Sequence, residues 1–282
     1  MVNLVYCGNK YMFDGLLLSL LSASKVTKEP LNVIILTGDF RKLNPSYVPL
    51  EGFEADFLRS VIQKYNPESR LELRDVTELI KGELSQTVNL DNEYTPYCLL
   101  RSFLDLLDNI PSRVLYLDCD TIVMRDISDF FHSDLHDNDI GCVLDNVRII
   151  VFHHGYFNAG VMLLDLDKIR HDGLMVKSRE LIATKKMKHP DQDAMNKVFR
   201  KAKKIEMFSR DYNEQRRVFP STVIRHFTPQ LSMFPFPHFI SVKPWNYDQV
   251  HTIYHNHEFD SLFKETIQLK RDFSINNAWR FK

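Results

Sequence analysis

Two aspartates, Asp118 and Asp120, interrupt a strongly apolar stretch of the chain, VLYLDCDTIV, at residues 114–123. The apolar residues before them are typical of a buried strand, where Asp is a poor former and an unpaired carboxylate is costly to bury. Side chains two positions apart in an extended segment point the same way, so both carboxylates can face one ion. Their oxygens suit Mn²⁺ or Mg²⁺. The alternative is a turn cap beside a surface charge.

The elements that must position these carboxylates alternate along the chain. Apolar runs that predict strands include NLVYC, LNVIILTGD, RLELRDV, IGCVLD and STVIRHF, and segments with helical spacing lie between most of them. Strands that are apolar on both faces and separated by helices predict an α/β fold with a mostly parallel sheet flanked by helices. We expect one α/β domain over residues 1–247 and a helical C-terminal extension over 248–282, which contains SLFKETIQLKRDF.

Composition narrows the class of protein. Thirty-six Lys and Arg against 37 Asp and Glu give the 282 residues a net charge of -1, which argues against a nucleic-acid partner. The N-terminal residues do not resemble a signal peptide, and no apolar run reaches membrane-spanning length. We therefore expect a cytoplasmic protein without a transmembrane segment. Its basic segments KKMKH and FRKAKK could bind acidic membranes weakly.

Five segments, in chain order, resemble the family 8 glycosyltransferases, which include glycogenin and the bacterial lipopolysaccharide galactosyltransferases. They are VLYLDCDTIV, YFNAGVMLLDLDKIR, HPDQDAMN, VIRHF and VKPWN. The resemblance covers residues 3 to about 247 and implies a Rossmann-like GT-A fold, a UDP-sugar donor and a Mn²⁺ or Mg²⁺ cofactor. It further implies a retaining hexosyltransferase that moves glucose or galactose to a glycan, glycolipid or glycoprotein, as in bacterial cell-surface glycan synthesis.

The resemblance also implies a third metal ligand, a histidine followed by Phe. His226 in VIRHF and His238 in PHFISVKPW both fit this description. The family normally places this histidine a few residues before its KPW segment, whereas Lys243 lies 17 residues after His226. A strand end holds a ligand more firmly than a Pro-flanked loop. This favours His226 as the ligand and leaves His238 as the alternative.

Donor binding is assigned by the same resemblance. Lys243 would place a positive charge on the β-phosphate, and the guanidinium of Arg101 would bind phosphate or sugar oxygens bidentately. Asn9 stands where the family often has an Asp that contacts uracil. The complete set of expected donor-binding residues is Asn9, Arg101, Asp118, Cys119, Asp120, Asn158 and Lys243. Surface positions for Arg101 and Lys243 are the alternative.

Three residues are candidates for catalysis. In the family, Asp191 and Gln192 face the sugar on the side opposite the leaving group, and Asp145, at a predicted strand end, could bind sugar hydroxyls. For Asp191, a helix N-cap is the alternative. Because an amide oxygen is a poor nucleophile, we expect front-face attack, in which a phosphate oxygen of the departing UDP takes the acceptor's proton.

Two other functions fit part of the pattern. A sugar-phosphate nucleotidyltransferase also uses metal-bound carboxylates on a doubly wound sheet. It would normally carry a Gly-rich basic loop after the first strand, where YCGNKYMFDG offers only Gly8 and Lys10 before the helical segment. An inactive nucleotide-sugar-binding protein is the second alternative, and the presence of every metal and diphosphate candidate argues against it.

Overall fold

The computed structural model describes residues 1–84, 87–89, 95–146, 155–234 and 236–276. Within this part of the chain, seven strands form the main sheet in the order β3-β2-β1-β4-β7-β6-β8, and two further pairs, β10-β11 and β5-β9, stand apart from it. The strands are β1 Val2–Cys7, β2 Leu31–Thr37, β3 Arg70–Asp75, β4 Arg113–Leu117, β5 Thr121–Val123, β6 Ile140–Leu144, β7 Phe157–Asp165, β8 Ile205–Met207, β9 Ile224–His226, β10 Gln230–Ser232 and β11 His238–Ile240.

Helices connect the strands. The α-helices are α1 Phe13–Val26, α2 Gly52–Tyr65, α3 Thr77–Leu84, α4 Ser128–Phe131, α5 Leu166–Asp172, α6 Leu174–Thr184, α7 Pro190–Ala202, α8 Tyr247–Tyr254 and α9 Asp260–Asn276. The segment before β4, which has helical spacing in the sequence, forms a 3-10 helix over Pro96–Leu106. Shorter 3-10 helices cover Lys10–Met12 and Arg210–Asn213.

The main sheet is mostly parallel, as the sequence predicts. Strands β3, β2, β1 and β4 pair in parallel, β6 pairs in parallel with β8, and β7 alone runs antiparallel to its two neighbours among these strands. Alternate side chains of β1 enter separate apolar clusters, Leu4 and Tyr6 on one face and Val5 and Cys7 on the other. Burial on both faces explains why these strands are almost continuously apolar. The predicted α/β fold with a mostly parallel sheet flanked by helices is confirmed.

The apolar run around the two aspartates is not one interrupted strand. Strand β4 ends at Leu117, residues 118–120 turn, and β5 pairs antiparallel with β9 in a separate two-stranded sheet. The hydroxyl of Thr121 donates to the carbonyl oxygen of Asp118 at 2.8 Å and closes this turn. The carboxylates therefore lie at a strand end, which removes the conflict with strand propensity.

The C-terminal helices pack on the α/β core. Helix α9 lies against α1, where Lys270 Nζ pairs with Asp14 Oδ2 at 2.5 Å. The Phe273 ring packs with its centroid 5.3 Å from that of Phe13 and 4.4 Å from that of Phe57. Residues 277–282 of the predicted extension lie outside the described residues, and the boundary at residue 247 stays a prediction. No described helix combines the length and apolar character needed to cross a membrane.

Candidate active site

The predicted site residues converge at one edge of the main sheet. Asn9 and Asp118 follow the parallel neighbours β1 and β4, and Asp145 follows β6. Asn158 is at the start of β7, which runs the opposite way and so begins at the same edge. The chain adds β2 and β3 on one side of β1 and then places β4 on the other side. Open α/β sheets bind their ligands at such a switch point.

Two carboxylates and one imidazole meet at this edge. One ligand atom from each of Asp118, Asp120 and His226 lies within 4.8 Å of the other two. The Nε2 atom of His226 is 3.1 Å from Asp120 Oδ1 and 3.8 Å from Asp118 Oδ2. The β5-β9 register pairs His226 with Thr121, the residue after Asp120. Strand pairing thus places beside Asp120 a histidine that lies more than a hundred positions later in the chain.

Gly160 on β7 makes room for this cluster. Its carbonyl oxygen accepts a hydrogen bond from the Asp118 backbone N–H at 2.8 Å, so the two backbones run close together. A Cβ atom on residue 160 would lie 2.2 Å from Cε1 of His226 and 2.6 Å from Oδ2 of Asp118. Only glycine therefore permits this approach without displacing the imidazole or the carboxylate.

A chain of hydrogen bonds sets the tautomer of His226. The backbone N–H of Gly160 donates at 3.0 Å to Asn158 Oδ1, which identifies that atom as the oxygen. The same oxygen lies 3.0 Å from Asn213 Nδ2, so Asn213 turns its own oxygen to His226 Nδ1 at 3.1 Å. Nδ1 must then carry the proton. With Nδ1 donating to Asn213, Nε2 is the nitrogen that faces the two carboxylates, where it is placed to serve as a metal ligand beside them.

Positive side chains flank both carboxylates. Lys243 Nζ lies 2.6 Å from Asp120 Oδ2, and Arg101 Nη2 donates to Asp118 Oδ1 at 2.8 Å. Burial raises the pKa of Asp120, but Lys243 and His226 lower it more, so the net pKa lies well below the usual value. Burial lowers the pKa of Lys243, and the pair with Asp120 raises it above its usual value. Asp120 is therefore an ionised, ligand-ready carboxylate.

Arg101 is a buried residue that organises the site. Its Nη1 donates to the carbonyl oxygen of Ala159 at 2.6 Å and its Nε to that of Cys98 at 3.0 Å. The Nε atom also lies 3.2 Å from Asp191 Oδ2, and burial raises the pKa of Asp191 despite this partner. The guanidinium thus holds Asp118 and Asp191 together beneath the sheet edge.

The other two candidates for catalysis, Gln192 and Asp145, also contact each other. The Ala159 backbone N–H donates to Gln192 Oε1 at 2.9 Å, and Gln192 Nε2 lies 3.3 Å from Asp145 Oδ2. Asn158 Nδ2 donates to the same carboxylate oxygen at 3.3 Å. These bonds join the first turn of α7 to the start of β7 and the end of β6. Through these contacts and the backbone of Ala159, the three candidates for catalysis and Asn158 belong to one polar network with Arg101.

The remaining predicted residues differ in their placement. Asn9 is buried, and its amide oxygen has no hydrogen-bond partner within the described residues. The buried thiol of Cys119 donates to the carbonyl oxygen of Cys7 at 3.3 Å, and burial raises its pKa well above the usual value. His238 is exposed on β11, where Nδ1 donates to the carbonyl oxygen of Phe236 at 2.7 Å. His226, rather than His238, lies with the two aspartates.

Tyr116 and Asn213 belong to the site although the sequence analysis did not single them out. The hydroxyl of Tyr116 donates to Asp118 Oδ1 at 2.7 Å. Two-residue spacing from Asp118 along a strand end could have indicated this contact. Asn213, fully buried, reaches His226 only because of the tertiary fold, and no local pattern indicates it.

The mostly parallel sheet, with its acidic cluster at the switch point, is of the GT-A class of fold. The chain belongs to glycosyl transferase family 8, whose sequence model matches residues 3–249. Glycosyltransferase GlyA of Streptococcus pneumoniae serotype 4 is 28% identical over 223 residues, which are 74% of this chain and 30% of that protein. The probable glycosyl transferase Gly of Streptococcus gordonii is 28% identical over 156 residues, 54% of this chain and 22% of that protein. The chain thus spans less than a third of these relatives.

Solved structures show the same fold. The galactosyltransferase LgtC, solved with donor and acceptor sugar analogs, superposes with a TM-score of 0.63 at 16% identity over 95% of both chains. The glycosyltransferase GlyE of Streptococcus pneumoniae TIGR4 superposes with a TM-score of 0.60 at 19% identity, over 95% of this chain and 63% of that one. At such low identity the likeness concerns the fold alone.

Proposed function

We propose that this chain is a metal-dependent, retaining hexosyltransferase that moves glucose or galactose from a UDP-sugar to a glycan, glycolipid or glycoprotein acceptor. The observation that carries the proposal is the orientation of His226. Its Nε2 atom faces Asp118 and Asp120 across 3.8 and 3.1 Å. A divalent cation held by these three groups would neutralise the two carboxylates, at the sheet edge where GT-A folds bind their donors.

The three potential ligand side chains suit the divalent metal ion that the family resemblance implies. Two carboxylates and a neutral imidazole suit Mn²⁺, and Gly160 leaves the approach clear where a Cβ would collide with the ligands. Asp118, Asp120 and His226 would hold the ion. When bound, a divalent ion neutralises negative charge on the donor's diphosphate.

The surrounding residues have complementary tasks. Lys243, already beside Asp120, would supply positive charge to the departing diphosphate. Arg101 makes four polar contacts with the protein, so we assign it to holding Asp118 in place as well as to the donor. The unpartnered Asn9 oxygen offers a hydrogen-bond acceptor to the nucleotide base at the end of β1.

Retention is supported by the lack of a free general base among the candidates for catalysis. Asp191 is buried and paired with Arg101, and Asp145 Oδ2 takes hydrogen bonds from Asn158 and Gln192. An inverting displacement requires a base beside the acceptor hydroxyl. Front-face attack does not, because the leaving phosphate accepts the proton while Gln192 stabilises the cationic sugar.

The test is UDP release from UDP-glucose and UDP-galactose by the full chain after EDTA treatment. We expect activity only when Mn²⁺ or Mg²⁺ is restored, and near-complete loss in Asp120→Asn. Asp137→Asn, at an exposed aspartate outside the cluster, serves as the matched control. Release that survives both EDTA and Asp120→Asn would refute the proposal. Pyrophosphate formation from UTP and a sugar phosphate would indicate the nucleotidyltransferase instead.

A further inference from the structure

A second group of potential metal ligands lies in the C-terminal extension. His251 is on α8, His257 is in the connection that follows, and Asp260 is the first residue of α9. One ligand atom from each lies within 4.8 Å of the other two, and among the described residues only the active-site cluster shares this property. His251 Nε2 is 2.7 Å from Asp260 Oδ1, and His257 Nδ1 is 3.4 Å from Asp260 Oδ2.

The local structure holds these groups in position. The two imidazole rings stack with centroids 4.5 Å apart and planes 17° apart, and the His251 ring lies 6.0 Å from that of Phe263 on α9. His255 adopts a left-handed conformation with φ of 48°, which ends α8 and turns the chain back toward it.

We propose that His251, His257 and Asp260 bind a Zn²⁺ ion that links α8 to the start of α9. Two imidazole nitrogens and one carboxylate oxygen are a characteristic zinc donor set, whereas Mg²⁺ and Ca²⁺ prefer oxygen ligands throughout. The ion replaces the protons that now lie between the nitrogens and the carboxylate. Exposed fractions of 31% for His251, 66% for His257 and 41% for Asp260 give the ion access and let water supply a fourth ligand.

The role of this site is structural. The three ligands span a short loop, so closing it around an ion orders few residues. The loop joins two helices whose aromatic side chains pack together, with the Tyr247 and Phe263 rings 4.5 Å apart. Zn²⁺ binds the folded chain and not the unfolded chain, so by mass action it raises the unfolding temperature of the protein. The inference concerns a different site from the proposed sugar-transfer chemistry and does not depend on it.

The alternative is a purely hydrogen-bonded turn in which both histidines donate to Asp260. To separate the two, the full chain carrying Asp120→Asn is stripped with EDTA and titrated with Zn²⁺ by calorimetry and with Co²⁺ by visible absorption. The Asp120→Asn background removes one of the three potential ligands of the active-site cluster and so weakens metal binding there relative to this site. We expect one ion per chain and an intense four-coordinate Co²⁺ spectrum. A Zn²⁺-dependent rise in unfolding temperature should accompany them.

His257→Ala, and independently His257→Gln, should weaken Zn²⁺ binding by more than about tenfold and abolish both the Co²⁺ spectrum and the thermal shift. His171→Ala, at a histidine that is 87% exposed and outside the cluster, should retain all three responses. Equal responses from the His257 and His171 variants would overturn the proposal, as would no response from the parent. UDP release with Mn²⁺ is measured separately, so either proposal can fail without the other.

Discussion

At the residue scale, Asn213 decides which nitrogen of His226 faces the two aspartates. It accepts from Nδ1 at 3.1 Å and is itself oriented by Asn158, whose oxygen is identified by the Gly160 backbone N–H. Partners of this kind raise the basicity of a ligating imidazole and hold its ring in place. In the proposed function, the metal affinity of the cluster therefore depends on Asn213, which would not itself contact the ion.

We expect Asn213→Ala to weaken Mn²⁺ binding by about 10- to 100-fold, because the imidazole loses the acceptor that selects its tautomer. Electron paramagnetic resonance of free Mn²⁺ during a titration measures this change. Gln268→Ala, on the exposed side of α9, is the control and should bind as the parent does. Unchanged affinity in Asn213→Ala would show that the ring is oriented by other contacts.

Gly160→Ala tests the space beneath the cluster. The added methyl group would meet Cε1 of His226 at 2.2 Å, so the ring or β7 must shift at a cost of about 1–3 kcal/mol, and Mn²⁺ binding should fall with it. Urea unfolding and a Mn²⁺ titration report the two effects. Gly52→Ala provides the matched control, since nothing lies within 4 Å of a Cβ there. Equal behaviour of the two variants would contradict the steric argument.

At the scale of elements, the short β5-β9 pair and the packing of α9 hold distant segments of the chain together. The β5-β9 pair brings His226 beside Asp120, and the Phe227 backbone N–H donates to the Asp120 carbonyl oxygen at 2.9 Å. Helix α9 closes over α1 and α2 through Phe273. Both contacts join segments that lie a hundred or more positions apart in the chain, so the site requires a completed fold.

Phe273→Ala should lower the free energy of unfolding by about 3–5 kcal/mol, because it removes a buried ring from the aromatic cluster that joins α9 to the core. Ile275→Ala, whose side chain is 67% exposed on the same helix, should change it little. Urea unfolding followed by tryptophan fluorescence gives both values. Similar losses in the two variants would show that α9 contributes through its backbone rather than through this contact.

At the scale of the whole molecule, the anomeric configuration of the product tests the proposed retaining mechanism. The two candidate bases are both engaged, Asp191 with Arg101 and Asp145 with Asn158 and Gln192. We therefore expect an α-linked product from an α-linked UDP-hexose, read from the anomeric proton by NMR early in the reaction. A β-linked product would refute retention and require a base elsewhere.

Gln192→Ala should slow transfer without abolishing it, because Gln192 only stabilises the developing cation in the proposed mechanism. The measurement is the single-turnover rate with donor and acceptor saturating, which separates chemistry from binding. Complete loss, at unchanged donor affinity, would instead assign Gln192 a covalent role. The Ala159 N–H bond to its oxygen argues against that role.

The sequence alone determined the order of elements and the placement of several site residues. Apolar runs separated by helical segments predicted the mostly parallel sheet, since strands covered on both faces must be apolar on both faces. Asn9, Asp118 and Asp145 could be placed at strand ends because short-range patterns define where a strand stops. Favouring His226 over His238 also rested on a local argument, that a strand end holds a ligand more firmly than a loop.

Only the tertiary structure decided what these residues face. The sequence suggested that the apolar run resumes as strand after the aspartates, but β5 leaves the main sheet to pair with β9. Arg101 and Lys243 reach the carboxylates from other segments and were expected there only from the family resemblance, and no local pattern indicates that Asn213 contacts His226. Strand endings follow from neighbouring residues, whereas contacts across more than a hundred positions depend on which strands pair. That pairing is set by the packing of the whole core.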